Sequence, residues 1–219
     1  MARSHTAPVL DTDWSPHSDN TVASGGEDGK LILWSVSSES FVDWGTEGWI
    51  PKDFDPILRI DASPRKIGQV AWHPTAQGVI ATASGEHVIK VWDIANPEDA
   101  RTTLQGHTDT IQSLAWSVTG DLLATTSRDR KLRLFDPRAS SNPVRITDGH
   151  GGVKGTRVVF MGDTGRLATT GFSKMSDRQV SIWDTGSLDN VKTITTDQSS
   201  GVTMPFWSDN GLLFLAGKG

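Results

Sequence analysis

The stretch from Gly106 to Asp136, GHTDTIQSLAWSVTGDLLATTSRDRKLRLFD, carries three short apolar runs at 111–116, 121–126 and 131–135. Turn signals separate them, at Ser117–Gly120 and again at Ser127–Arg130. Runs of five or six residues rich in Leu, Ile, Thr and Trp have strand length and are too short for ordinary helices. The pattern recurs along the chain. Trp14, Trp72, Trp116 and Phe160 hold one equivalent position, 58, 44 and 44 residues apart. Trp34, Trp92, Phe135 and Trp183 hold a second, 58, 43 and 48 apart, with endings LILWSV, IKVWDI, LRLFDP and VSIWDT.

A period of ~40–45 residues with four strands per unit is that of WD-type repeats, each repeat making one blade of a β-propeller. The fold class read from this pattern is all-β: four complete blades and half of a fifth. Blade one runs from about 5 to 60, blade two from 63 to 104, blade three from 106 to 147 and blade four from 150 to 195; the half blade is 199–219. Blade one is expected to place strands near 8–14, 20–25, 30–35 and 57–60. Its insertion, about 36–56, contains Trp44, Gly45, Gly48, Trp49 and Pro51; the two Trp either tuck against the blade or form an exposed contact, and packing is the favoured expectation because a free aromatic loop invites aggregation. Blade four carries a five-residue expansion in GFSKMSDRQ, between its second and third strands. The half blade offers strands near 201–207 and 211–216. Propellers remove exposed strand edges by closing a ring. The expectation is therefore a piece of a longer propeller, or a chain that self-associates through open edges. No heptad seam for a coiled coil is visible.

WD blades commonly join a Trp on the third strand, a Ser or Thr on the second, a His from the lead-in loop and an Asp from a turn. Blade one offers Trp34, Ser24, His5 and Asp28; blade three offers Phe135, Thr125, His107 and Asp129. Blade four offers Trp183, Thr169 or Thr170, His150 and Asp177. In blade two, Ser63 stands where His is expected and Glu86 where Asp is. Such sets satisfy buried polar groups and orient the imidazole. A hydrolase triad uses the same residue types, but this constellation recurs once per blade and no G-x-S-x-G elbow occurs. The six His, at 5, 17, 73, 87, 107 and 150, show no H-x₃-H or H-E-x-x-H spacing. No phosphate loop is present. The chain reads as non-catalytic, with no cofactor and no metal.

Composition sharpens this little. A hydrophobic share of 36 %, with nine Trp and seven Phe, suffices for a core of small strands. The absence of Cys excludes a disulfide framework and a thiolate metal site. A net charge of −5 argues against a globally basic nucleic-acid binder. No apolar run approaches the ~20 residues of a membrane span, and ARSHTAPVLDTDW after Met1 has no signal-peptide core. A cytoplasmic chain is expected. The sharpest charged feature is Arg128-Asp129-Arg130-Lys131-Leu132-Arg133. Lys131 and Arg133 alternate with leucines, as on a half-exposed strand, and Arg128 and Arg130 flank a turn. This is either a solvated turn or a basic contact for an acidic protein surface. Lys154, Lys174 and Arg178, in loops of the next blade, extend the patch.

Four stretches go beyond generic repeat grammar: HTAPVLDTDWSPHSDNTVASGGEDGKLILW (5–34), VAWHPTAQGVIATAS (70–84), TTGFSKMSDRQVSIWDT (169–185) and SSGVTMPFWSDNGLLFLAGKG (199–219). They resemble the coronins. The resemblance implies a seven-bladed propeller of which this chain matches the central blades, and a non-catalytic protein that binds actin filaments and regulates their dynamics at the cell cortex. It also implies contact with the branched-actin nucleating complex through parts outside this chain. Arg128, Arg130, Lys131, Lys174 and Arg178 are then the candidate actin contacts, and Phe172 and Met175 are either structural or contact residues. The alternative is a general WD-repeat interaction scaffold without actin binding, since fold alone does not fix function.

Overall fold

The computed structural model describes residues 3–50 and 53–218; Pro51 and Gly219 therefore lie outside the described residues. The chain is all-β, with four four-stranded sheets and a two-stranded one among the described residues. Each four-stranded sheet is a meander of antiparallel neighbours. Blade one is β1 (Val9–Trp14), β2 (Thr21–Gly26), β3 (Lys30–Ser35) and β4 (Pro56–Asp61); blade two is β5 (Ile67–Trp72), β6 (Val79–Ser84), β7 (Ile89–Asp93) and β8 (Thr102–Leu104). Blade three is β9 (Ile111–Trp116), β10 (Leu123–Ser127), β11 (Lys131–Phe135) and β12 (Arg145–Asp148). Blade four is β13 (Arg157–Phe160), β14 (Arg166–Phe172), β15 (Arg178–Asp184) and β16 (Asn190–Asp197). The last pair is β17 (Met204–Trp207) and β18 (Leu213–Ala216).

Contacts divide the chain into two compact units. One holds residues up to His73 with 77–86 and 90–101; the other holds 74–76, 87–89 and the chain from Thr102 onward. In each, the middle strands are buried on both faces: β3 reads LILW inside, and β10, LATTS, is buried at every residue. Fully buried strands carry small or apolar residues on both sides, with hydroxyls hydrogen-bonded, which is why the short runs do not alternate apolar with charged residues.

Within the first unit, Leu31, Leu33, Ile60, Ile67, Trp72, Ile80 and Trp92 form one core. The first two blades are also joined by polar contacts. Asp11 and Asp13 of β1 accept hydrogen bonds from the backbone N–H groups of Val70 and Trp72, both at 2.8 Å. The Trp72 indole N–H donates to the Asp13 carbonyl at 3.1 Å. Burial raises the Asp13 pKa, against the lowering effect of the Trp72 N–H. In the second unit Ser113 takes the place of Asp11 and accepts from Val158 N, while Gln112 Oε1 accepts from Thr156 N and Oγ1. Burying a Trp such as Trp72 contributes on the order of 2–3 kcal/mol, and the carboxylates satisfy β5 donors that would otherwise be orphaned.

The two Trp of the insertion part ways: Trp44 is 72 % exposed, whereas Trp49 is half-buried, so the expectation of packing is corrected for Trp44. The segment is instead ordered by its own turns: a 3₁₀ turn over Ser38–Phe41, then Trp44 N–H to Phe41 O, Thr46 N–H to Asp43 O and Trp49 N–H to Thr46 O. These turns hold the exposed rings of Phe41 and Trp44 against each other.

Candidate functional site

In blade one, His5 sits between Ser24 and Asp28. Its Nε2 lies 2.7 Å from Ser24 Oγ and its Nδ1 2.9 Å from Asp28 Oδ1. The Trp34 indole N–H donates to the same Ser24 Oγ at 2.8 Å. Asp28 also accepts from the N–H groups of Thr6 and Lys30. Burial raises its pKa, but the His5 hydrogen bond and these N–H groups outweigh it, and the net shift is downward. Gly26 makes this possible: a Cβ there would lie 2.6 Å from His5 Nδ1.

Blade four keeps three of its four candidates together. His150 Nε2 lies 2.9 Å from Thr169 Oγ1, and Trp183 Nε1 donates to that oxygen at 2.8 Å. Thr169 thus fills the position, while Thr170 donates to Thr203 O. Asp177 does not join them, which corrects its assignment to the set. The expansion forms its own turn, in which Ser173 Oγ donates to Asp177 at 2.8 Å and the Asp177 N–H returns a bond to Ser173 Oγ. Asp177 otherwise accepts from Gln198.

Blade three departs further. Thr125 Oγ1 lies 3.2 Å from His107 Nε2, but Phe135 has no N–H to give and instead packs its ring 5.7 Å from the imidazole. His107 Nδ1 is buried without a partner, so the expected His107–Asp129 link is not made. Asp129 turns to Arg133, whose Nη2 lies 2.8 Å away, with both side chains buried. Arg133 is therefore not the half-exposed residue that strand alternation predicts. Burial raises the Asp129 pKa, but the Arg133 hydrogen bond and the Lys131 and Thr108 N–H groups hold it at about 2. Burial, with Arg133 nearby, lowers His107 to about 4. In blade two Ser63 Oγ donates to Glu86 at 2.9 Å, and Trp92 Nε1 donates to Thr82 Oγ1 at 2.9 Å. Lys90 holds the register of Arg133 and donates to Ala62 O. The signal for both was a basic residue two positions before the aromatic that ends the third strand.

The loops at the ends of β10 and β14 carry the exposed basic residues. Arg128 and Arg130 are exposed in the β10–β11 turn, with Arg130 in the left-handed region at φ 64°. Lys131 is partly exposed and ion-paired with Asp148. The neighbouring loop threads between this turn and the next: Gly149 N–H donates to Arg130 O, and Gly151 lies under the Lys174 side chain. Lys174 is exposed, and Lys154 lies 4.7 Å over the Phe172 ring. Phe172 is buried and structural, whereas Met175 is 84 % exposed. Arg178 is corrected out of the exposed set. It is buried and grips Asp197 with two bonds of 2.5 and 2.6 Å, so its guanidinium is committed inside the second unit. Among the described residues no group of three or more His, Cys, Asp or Glu side chains forms a metal-holding cluster, and no helix is long and apolar enough to cross a membrane.

The family described as "WD domain, G-beta repeat" matches residues 2–35, 55–93 and 99–136, and the chain belongs to it. Its repeats are similar to those of coronins. It is 44 % identical over its whole length to the coronin-like protein crn1 of Schizosaccharomyces pombe and 41 % identical to the coronin-like protein of Saccharomyces cerevisiae. The chain spans 36 % and 34 % of those two proteins. The solved WD40 domain of Toxoplasma gondii coronin superposes on 98 % of the chain with a TM-score of 0.86 at 27 % identity, the match taking in 54 % of that domain chain.

Proposed function

We propose that this chain forms part of the filament-binding surface of a non-catalytic, coronin-type actin-binding protein of the cytoplasm and cell cortex, where it regulates actin dynamics. The observation that carries the reading is the run of exposed cations Arg128, Arg130 and Lys174 on adjoining loops of one coronin-type unit, joined through the 149–151 segment. Rim charges of this kind chiefly steer and orient docking on an oppositely charged surface, and their effect is salt-dependent. Lys131 contributes less, being held by Asp148. The non-catalytic reading is supported by the blade His residues, which are buried or hydrogen-bonded as braces between strands.

Co-sedimentation with actin filaments across a salt series tests this. Saturable pelleting that weakens with salt is expected, and Arg128→Glu/Arg130→Glu should weaken it about tenfold and flatten the salt dependence. A folded chain that does not pellet would favour the general scaffold reading.

A further inference from the structure

The insertion between β3 and β4 sets large aromatic groups in solvent rather than in the core. Phe41 is 40 % exposed, Val42 63 %, Trp44 72 % and Ile50 79 %. The rings touch one another: Phe41 meets Trp44 edge-on with centroids 6.0 Å apart, Phe41 meets Phe54 at 6.0 Å, and Trp44 meets Trp49 at 6.5 Å. Beside Phe41 opens a groove of about 590 Å³, lined also by Trp14, Asp19, Val36 and Ser37. Contiguous exposed apolar surface of this kind marks an interaction site. Successive turn hydrogen bonds over 41–49 hold the patch in shape, so a partner meets a formed surface.

Charge says what that partner is. The stretch 36–55 holds five carboxylates and one lysine. Asp53 is engaged by Arg3 at 3.8 Å, while Glu39, Asp43, Glu47 and Asp55 stand exposed around the aromatic cluster. Indole faces ringed by carboxylates attract ammonium and guanidinium groups, by cation–π contact and by Coulomb attraction. A large exposed apolar area calls for aliphatic side chains in the same ligand. We propose that the insertion is a docking site for a basic amphipathic segment of a partner protein, with Lys or Arg set among Leu, Ile or Phe. Trp44 and Phe41 take the apolar side chains, and Glu47 and Asp55 take the cations. This surface lies in the other unit from the Arg128 patch and recognises the opposite charge, so the two readings stand or fall separately.

The test titrates the 219-residue chain with a synthetic amphipathic Leu–Lys peptide and with a Leu–Glu peptide of equal length, following tryptophan fluorescence and calorimetry. Saturable binding of the Leu–Lys peptide alone is expected. Trp44→Ala and Glu47→Lys/Asp55→Lys should each weaken it at least about tenfold, as loss of a central interface anchor does. Asp189→Lys, an exposed charge elsewhere, should leave it unchanged. Equal binding by all variants, or equal binding of the Leu–Glu peptide, overturns the proposal. So does a chain that ignores both peptides and dimerises through Trp44, which would make a second copy the occupant.

Discussion

Arg133 and Asp129 form a buried ion pair in blade three, Nη2 to Oδ2 at 2.8 Å, where blade one places His5 against Asp28. Both exchanges tie the turn aspartate to the sheet, but by different chemistry. In blade one the histidine bridges Asp28 to Ser24 and so to Trp34. In blade three the bridge is cut: Asp129 is served by arginine, and His107 is left with Thr125 and a ring contact. Ser127 stands where Gly26 leaves room for His5, and its hydroxyl is spent on Asp109 O and the Asp129 N–H.

Removing one partner of a buried pair leaves the other charge unpaired, at a cost of about 3–5 kcal/mol. Arg133→Leu should therefore lower the urea midpoint strongly, whereas Arg128→Leu, exposed in the turn, should stay within about 0.5 kcal/mol of the parent. Chemical denaturation of the two variants side by side checks this. Equal midpoints would mean that Arg133 does not hold the turn.

Thr169 and Thr125 occupy the same register and differ in load. Thr169 Oγ1 serves both His150 and Trp183, whereas Thr125 Oγ1 serves only His107, at 3.2 Å. Valine keeps the shape and removes the oxygen. Thr169→Val should cost about 2–3 kcal/mol, because two buried groups lose their partner, and Thr125→Val about 1 kcal/mol. Denaturation of both variants gives the comparison directly, and a larger loss at Thr125 would contradict it.

Arg178 separates stability from binding. Its two bonds to Asp197 and its donation to Lys218 O are internal to the second unit. Arg178→Met should lower the thermal midpoint by a few degrees while leaving filament pelleting and its salt dependence at the parent level. A loss of pelleting in a folded Arg178→Met chain would return this residue to the contact surface.

The strands were legible because each middle strand is short, free of helical periodicity and bounded by turn residues, and because the aromatic positions repeat. Spacing also identified which residue types meet in blade one, where no side chain intrudes on His5. Local geometry decided the other blades. Asp177 fell to the added residues of the Ser173–Asp177 turn, which bonds to itself. Alternation assigns Arg133 a half-exposed face, whereas a long side chain on a buried strand can fold back to an aspartate four residues away. Arg178 looked like a loop cation until β16 brought Asp197 opposite it. The insertion's exposure was illegible for a related reason: nothing in FVDWGTEGWI distinguishes aromatics that pack inward from aromatics that pack on one another.

His107 supplies the pH dependence. Burial lowers its folded pKa from 6.5 to about 4, so between those values the unfolded chain binds a proton that the folded chain does not. Stability is therefore full above pH 6.5 and falls as pH drops toward 4, by about 3 kcal/mol for this residue alone. His150, also lowered by burial, adds in the same direction. Asp129 acts later: held at about 2, its contribution persists until pH drops below the unfolded carboxylate range and is lost toward 2. Urea midpoints should hold level from pH 7.5 to about 6.5 and fall from there toward pH 4, and His107→Gln should flatten that slope. If the variant does not fold, the parent's His107 ring can be titrated by NMR. A midpoint near 4 is expected, and one near 6.5 would show that burial does not control this imidazole.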